Sequence, residues 1–257
     1  MLQSFIIVLR ETFESFLIVA IIVSYLQKVG RTELLPAVVW GTGVSLGTSA
    51  GLGYWLWQGA NGPLWEGVFG LISAIFVTFF VVHMWRTAAS LKRDMERQIS
   101  TRTAGSAGWG ALAGIFIFTV FMISREGMET ALLLIQVHSP DIVTGSALGF
   151  AGALGMSLLW LRCGHLINVK RFFQVTAVFL LLFVVQILIY SFHEFTEAGI
   201  LPNSDFLHAA TEPFSPEGFY GKWFTPVMVV VCALWLSGAW LSDRMSRHGA
   251  KAIRVPS

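Results

Sequence analysis

Charge is what this chain has least of. Asp, Glu, Lys and Arg make up 12% of its 257 residues, while 55% are hydrophobic, against roughly 25% charged in an ordinary soluble domain. A soluble surface built from such a chain would be coated in apolar patches, so the solvent for most of it is lipid. With a net charge of +2 and no basic run interleaved with aromatics, nucleic acid is excluded as a partner. Cysteine is nearly absent. Cys163 and Cys232 each lie in or beside an apolar run and read as packing residues, not as a disulfide framework or a zinc site. Also missing is a basic stretch ahead of the first apolar run, since no Lys or Arg precedes Arg10. Residues 1–28 therefore read as a retained first span and not as a cleaved leader.

What the chain has instead is length without charge. Seven apolar stretches, near 4–27, 36–57, 64–86, 109–137, 142–161, 172–194 and 223–242, each approach the roughly 20 residues needed to cross a hydrocarbon core. The fourth is long and contains Gly127, which predicts a tilted or locally broken helix. The basic residues fall in alternate connections: Lys28 and Arg31, then Arg86, Lys92, Arg93, Arg97 and Arg102, then Arg162, Lys170 and Arg171, then Arg244, Arg247, Lys251 and Arg254. The opposite side keeps only Lys222. By the positive-inside rule the N-terminus faces out and the tail lies in the cytoplasm. Tryptophans at the expected span ends, among them Trp40, Trp65, Trp109 and Trp223, suit interfacial anchors. Residues 87–108 read as a charged cytoplasmic connector, and the acidic segment 199–222, with Asp205, Glu212, Glu217 and three prolines (Pro202, Pro213, Pro216), as a partly structured outer loop.

Against this scarcity, the first span carries three charges near its middle: Arg10, Glu11 and Glu14, in RETFE. The pattern returns in the fourth span as Arg125, Glu126 and Glu129, in REGME. Spans two and five also match, through a Gly43–Gly47–Gly51 stripe and a Gly145–Gly149 pair, the spacing that lets helix backbones approach closely. The chain thus reads as an all-helical, seven-span membrane protein: repeat one (1–86), an inverted repeat two (109–198), and a seventh helix with its tail (223–257). In such 3+3 architectures the substrate site lies at the repeat interface near the bilayer midplane.

Residues three apart share a helix face, so Glu11 and Glu14 can aim at one spot, and Glu126 and Glu129 at the same spot from the other helix. Carboxylate oxygens suit hard cations, iron, manganese, magnesium and calcium among them. Each arginine stands four residues before its distal acid and can pair with it. Four acids against two arginines leave a formal charge of −2, which one divalent cation neutralises. Some of the acids are expected to hold a proton while the site is empty, and a metal displacing it offers a route to proton coupling. The plainer reading is two buried ion pairs that tie helices together. A structural pair needs one acid per arginine, and each motif has two; intramembrane charges usually mark pathways.

At these residues the chain resembles the oxidase-dependent iron permease family, the high-affinity iron transporters of fungi and their bacterial counterparts, whose hallmark is an R-E-G-x-E or R-E-x-x-E motif in the first and fourth of seven spans. REGME matches the full form; RETFE has Thr12 in place of glycine. The likeness extends to LWEGVFGLISA (64–74) and FHEFTEAGILP (192–202). The resemblance implies iron uptake across the cytoplasmic membrane, with Glu11, Glu14, Glu126 and Glu129 handling the ion. It also implies a separate extracytoplasmic oxidase or peroxidase-type partner. Family members have been linked to other metals such as lead, so iron, manganese and lead stay open as cargo, as do ferrous and ferric iron. No prosthetic group is expected, and a homo-oligomer is compatible with the sequence.

Glu66, His193, Glu194 and Glu197 gather at outer span ends. They form either a site that collects cations before the midplane or an ordinary solvated helix end. His83 reads as a packed interfacial residue, Cys163-x-His165 as structural, and His138 and His208 as loop residues. A membrane di-iron oxidoreductase is the competing class. That chemistry uses Glu-x-x-His on two helices, and neither motif here contains a histidine. The chain is therefore expected to be a permease and not an enzyme.

Overall fold

The computed structural model describes residues 1–59, 62–87, 91–103, 108–137, 139–163, 169–201, 204–215 and 218–252. His138, His165, Pro202, Pro216, Glu217 and Arg254, singled out above, lie outside them. The described residues are all-helical: α1 (Leu2–Lys28), α2 (Leu35–Gly59), α3 (Pro63–Thr87), α4 (Leu91–Thr103), α5 (Trp109–Ile135), α6 (Ile142–Cys163), α7 (Val169–Glu197), α8 (Ser204–Thr211) and α9 (Gly221–Ala252), with short 3-10 turns before α2 and after α8. Every apolar stretch expected to span lies on a helix. Among the described residues, four helices are long and apolar enough to cross a membrane, over Pro63–His83, Trp109–Ile135, Ile142–Arg162 and Phe172–Glu197. The helix α1 carries the RETFE charges and α2 is diluted by glycine, serine and threonine.

Local chemistry sets the ends. Pro63 opens α3, where a missing N–H costs nothing. The helices α1 and α7 stop in the same way. Gly30 and Gly199 take positive φ (74° and 69°). Around Gly30, the Gly30 and Arg31 N–H groups donate back to Gln27 O and Leu26 O; around Gly199, Gly199 and Ile200 donate to Thr196 O and Phe195 O. Glycine reaches that conformation without the Cβ penalty, and the paired bonds satisfy the last carbonyls.

Packing brings α1 and α5 together as an antiparallel pair. Ile7 shares an apolar cluster with Leu133 and Val137, while Ile18, Ile22 and Leu26 share another with Ala111, Ile115 and Phe118. The two charged motifs lie between these clusters. Beside this pair, α6 runs parallel to α1, with Gly145, Gly149 and Gly152 seated successively against Met1, Phe5 and Leu9. In the same way α2 runs parallel to α5, with Gly41 against Thr119, Ser49 against Gly127 and Gly53 against Ala131. Ser45 Oγ reaches across to Val120 O at 3.1 Å. The helices α3 and α7 form a third close pair, with Gly70 facing Ser191, and α9 adds Met228 and Cys232 to the cluster they share. Large apolar side chains cover the outside, including Trp40, Trp55, Phe79, Trp109 and Phe121, as a lipid-facing surface requires.

Two expectations are corrected. Gly127 does not break its helix: α5 is continuous, and the glycine is the recess that receives the Ser49 side chain. The Gly43–Gly47–Gly51 stripe is not the packing face of α2; no heavy atom outside the helix lies within contact distance of where a side chain would start. Two residues along a helix turn it about 200°, so the contact face is the opposite one, Gly41–Ser45–Ser49–Gly53. The connector 87–108 contains a helix, α4. Met95 and Ile99 of α4 are buried against α1 and α5 beside Leu26, Leu34 and Ala111, because an otherwise charged segment places these two apolar residues four apart, on one face.

Candidate metal centre

The antiparallel crossing of α1 and α5 determines what meets. Glu11 from α1 and Glu126 and Glu129 from α5 each offer a carboxylate oxygen, and the three oxygens lie within 4.8 Å of one another. All three residues are buried. Oxygens bound to one cation at roughly 2.0–2.6 Å sit up to about 5 Å apart, so the trio is spaced for a single ion. Oε2 of Glu11 and Oε2 of Glu126 are buried and accept no hydrogen bond among the described residues. A buried acceptor left unmatched costs about 1–3 kcal/mol, more when charged, and a cation is one group that could satisfy it.

Each arginine takes up its distal acid, as the i,i+4 spacing predicts. Arg10 Nη2 lies 2.7 Å from Glu14 Oε1, and Arg125 Nε lies 3.0 Å from Glu129 Oε1. Arg10 also pairs with Glu11, and Arg125 stands 3.9 Å from Glu126. The two motifs are not equivalent. Arg10 is sealed in protein, whereas the Arg125 side chain is 26% exposed and its guanidinium lies 4.7 Å above the Phe80 ring of α3. Glu14, buried and held by Arg10, stands outside the trio. Of the four acids expected to converge, three do so most closely, and both helices contribute.

The four residues expected at the outer span ends separate into two groups. Glu66, in the first turn of α3, accepts a hydrogen bond from Tyr190 Oη at 3.1 Å, and Glu194 is buried on α7. His193 and Glu197 turn toward α8 and come within 4.8 Å of His208. His208 is thus a helix residue and not a loop residue, and its ring stacks on His193 with centroids 4.6 Å apart. Glu212 follows, its Oε2 lying 3.4 Å from His208 Nε2 and 3.7 Å from His193 Nε2. Sequence reasoning missed His208 and Glu212. The available signal was their i,i+4 spacing inside the acidic loop. His83 is exposed near the end of α3, its ring stacked on Phe79 with centroids 6.0 Å apart.

The chain matches the iron permease FTR1 family over residues 1–205. An uncharacterized protein of Archaeoglobus fulgidus is 30% identical over 221 residues, covering 82% of this chain and 76% of that protein. The ferrous iron permease EfeU of Escherichia coli is 26% identical over 212 residues (78% of this chain, 75% of the relative), and that of Yersinia pestis 26% over 214 residues (78% and 74%). No solved structure matches the chain significantly. Carboxylate-lined helices buried in an otherwise apolar, all-helical chain are what a membrane carrier of metal ions needs, and the family assignment agrees: the chain belongs to the iron permease FTR1 family, transporters and not enzymes.

Proposed function

We propose that the chain imports iron across the cytoplasmic membrane through a midplane site on its two R-E-x-x-E helices, with Glu11, Glu126 and Glu129 as ion ligands, Glu14 as a fourth acid, and Arg10 and Arg125 as charge partners. The observation that carries this reading is the convergence of three buried carboxylates from antiparallel helices. Iron as cargo follows from the family and from EfeU, a ferrous iron permease by name. An all-oxygen donor set also accepts manganese, so competition belongs in the test.

The architecture we infer is seven spans, α1, α2, α3, α5, α6, α7 and α9, with the N-terminus outside and α4 in the cytoplasm. Helices α1–α3 and α5–α7 then form an inverted repeat. The support is a pairing symmetry: exchanging α1 with α5, α2 with α6 and α3 with α7 turns the α2–α5 pair into the α6–α1 pair, and both are parallel and glycine-mediated. A separate extracytoplasmic oxidase or peroxidase-type partner would supply the iron. Radiolabelled iron uptake into proteoliposomes clamped at reducing or oxidising potential, with manganese, zinc and lead as competitors, tests the reading. Saturable iron uptake that is lost in Glu14→Ala and Glu129→Ala is expected. Unchanged uptake in either variant would refute the site.

A further inference from the structure

The structure assigns a second metal site to this chain, at the end of α7: His193, Glu197 and His208, with Glu212 beside them, arranged for a divalent transition cation. Three ligand atoms on two separate helices lie within 4.8 Å of one another. Tetrahedral ligands at about 2.0–2.2 Å from a metal are roughly 3.4 Å apart, so closure asks for at most about 1.4 Å of approach between any two of them. Glu197 is exposed and α8 is a two-turn helix, which leaves that movement to side chains at the surface. Both imidazole Nε2 atoms already face one oxygen, Glu212 Oε2, at 3.4 and 3.7 Å.

The hydrogen bonds prepare His193 as a ligand. Thr211 Oγ1 has a single proton, and it lies 2.9 Å from Leu207 O and 3.2 Å from His208 O, both of which only accept. Its 2.7 Å contact with His193 Nδ1 is compatible with the hydroxyl accepting from Nδ1–H while its own proton goes to one of those carbonyls. In the neutral ring that leaves Nε2 with its lone pair exposed to the cluster, the tautomer that a metal-binding histidine takes when its other nitrogen is held by an outer partner. His193 itself is buried, which fixes the ring. His208 Nδ1 is buried without a hydrogen-bond partner among the described residues.

The donor chemistry differs from that of the central trio. Imidazole with carboxylate favours zinc, cobalt, nickel or ferrous iron, while carboxylate alone accepts iron, manganese, magnesium and calcium with less distinction. Two sites of unlike donor sets in one chain would let the first discriminate among ions that the second accepts alike. Only that sequential role rests on the transport reading above; the binding site does not.

The test is Co²⁺ binding to the purified full chain in detergent, read by equilibrium dialysis and by visible d–d absorption, in wild type and in a Glu126→Gln/Glu129→Gln background that disables the central trio. One Co²⁺ per chain with a nitrogen-ligand spectrum is expected to persist in that background. His208→Ala should abolish it, and Glu197→Gln, at an exposed position, should weaken it at least tenfold with the melting curve unchanged. No Co²⁺ retained in the background, or Co²⁺ retained undiminished after His208→Ala and Glu197→Gln, would overturn the site. Loss of iron uptake alone, with this binding intact, would bear on the central trio only.

Discussion

Replacing Glu129 by glutamine removes one negative charge and almost no volume. Glu129 is one of three carboxylates within 4.8 Å, and it is also the 3.0 Å partner of Arg125. Truncating one partner of a buried charge pair at a binding site costs about 2–5 kcal/mol of affinity. At about 1.4 kcal/mol per tenfold, iron affinity should fall by roughly 30- to 4,000-fold. Fold stability should fall less, because Arg125 keeps Glu126 at 3.9 Å, the Phe80 ring and partial access to solvent. The informative variant is the double one, Arg125→Met with Glu129→Gln. If the pair were only a tie between helices, removing both partners would be close to neutral, and uptake would return together with stability. If Glu129 is a ligand, the melting temperature recovers and uptake does not. Initial rates of iron uptake into proteoliposomes give KM, and thermal melting in detergent gives stability. A Glu129→Gln protein with wild-type KM, or a double variant that transports normally, would refute the assignment.

Two further outcomes follow from the packing. Gly127→Ala should destabilise the fold by about 1–3 kcal/mol, since its methyl group would run into Ser49; Gly47→Ala, with open space beside it, should be neutral or slightly stabilising through helix propensity, and melting curves separate the two. Ile99→Asp would place a charge in the fully buried seat of α4; limited proteolysis should then cut within residues 91–103 faster than in the wild type.

The seven long helices were legible because apolar runs bounded by glycine, proline and charge leave little else to form. The acids of RETFE and REGME were legible too, since i,i+3 spacing fixes a shared face before any tertiary contact is known. What the sequence hid were choices between faces. Glycines at 41 and 53 and serines at 45 and 49 make a less conspicuous pattern than Gly43–Gly47–Gly51, yet they form the α2 contact, because α5 offers Thr119, Gly127 and Ala131 at the matching heights. His208 was hidden for a different reason. It approaches His193 only after the chain reverses at Gly199 and α8 folds back along α7. The glycine of REGME was misread as a weak point because a missing side chain signals backbone freedom and a receiving notch equally well.

The docking of α4 has a mechanical consequence. It fastens α1 and α5 together near Leu26 and Ala111, and Glu11 lies 15 residues from Leu26 along α1, roughly 22 Å at 1.5 Å per residue. At the far end the two rods also meet, through Ile7 with Leu133 and Val137, so a turn about the α4 fastening has to slide that contact as well. A swing of about 5° at the fastening opens a gap of roughly 2 Å at the acids on that lever arm, comparable to a metal–oxygen bond. A small rotation would then loosen the hold on an ion without unseating the fastening.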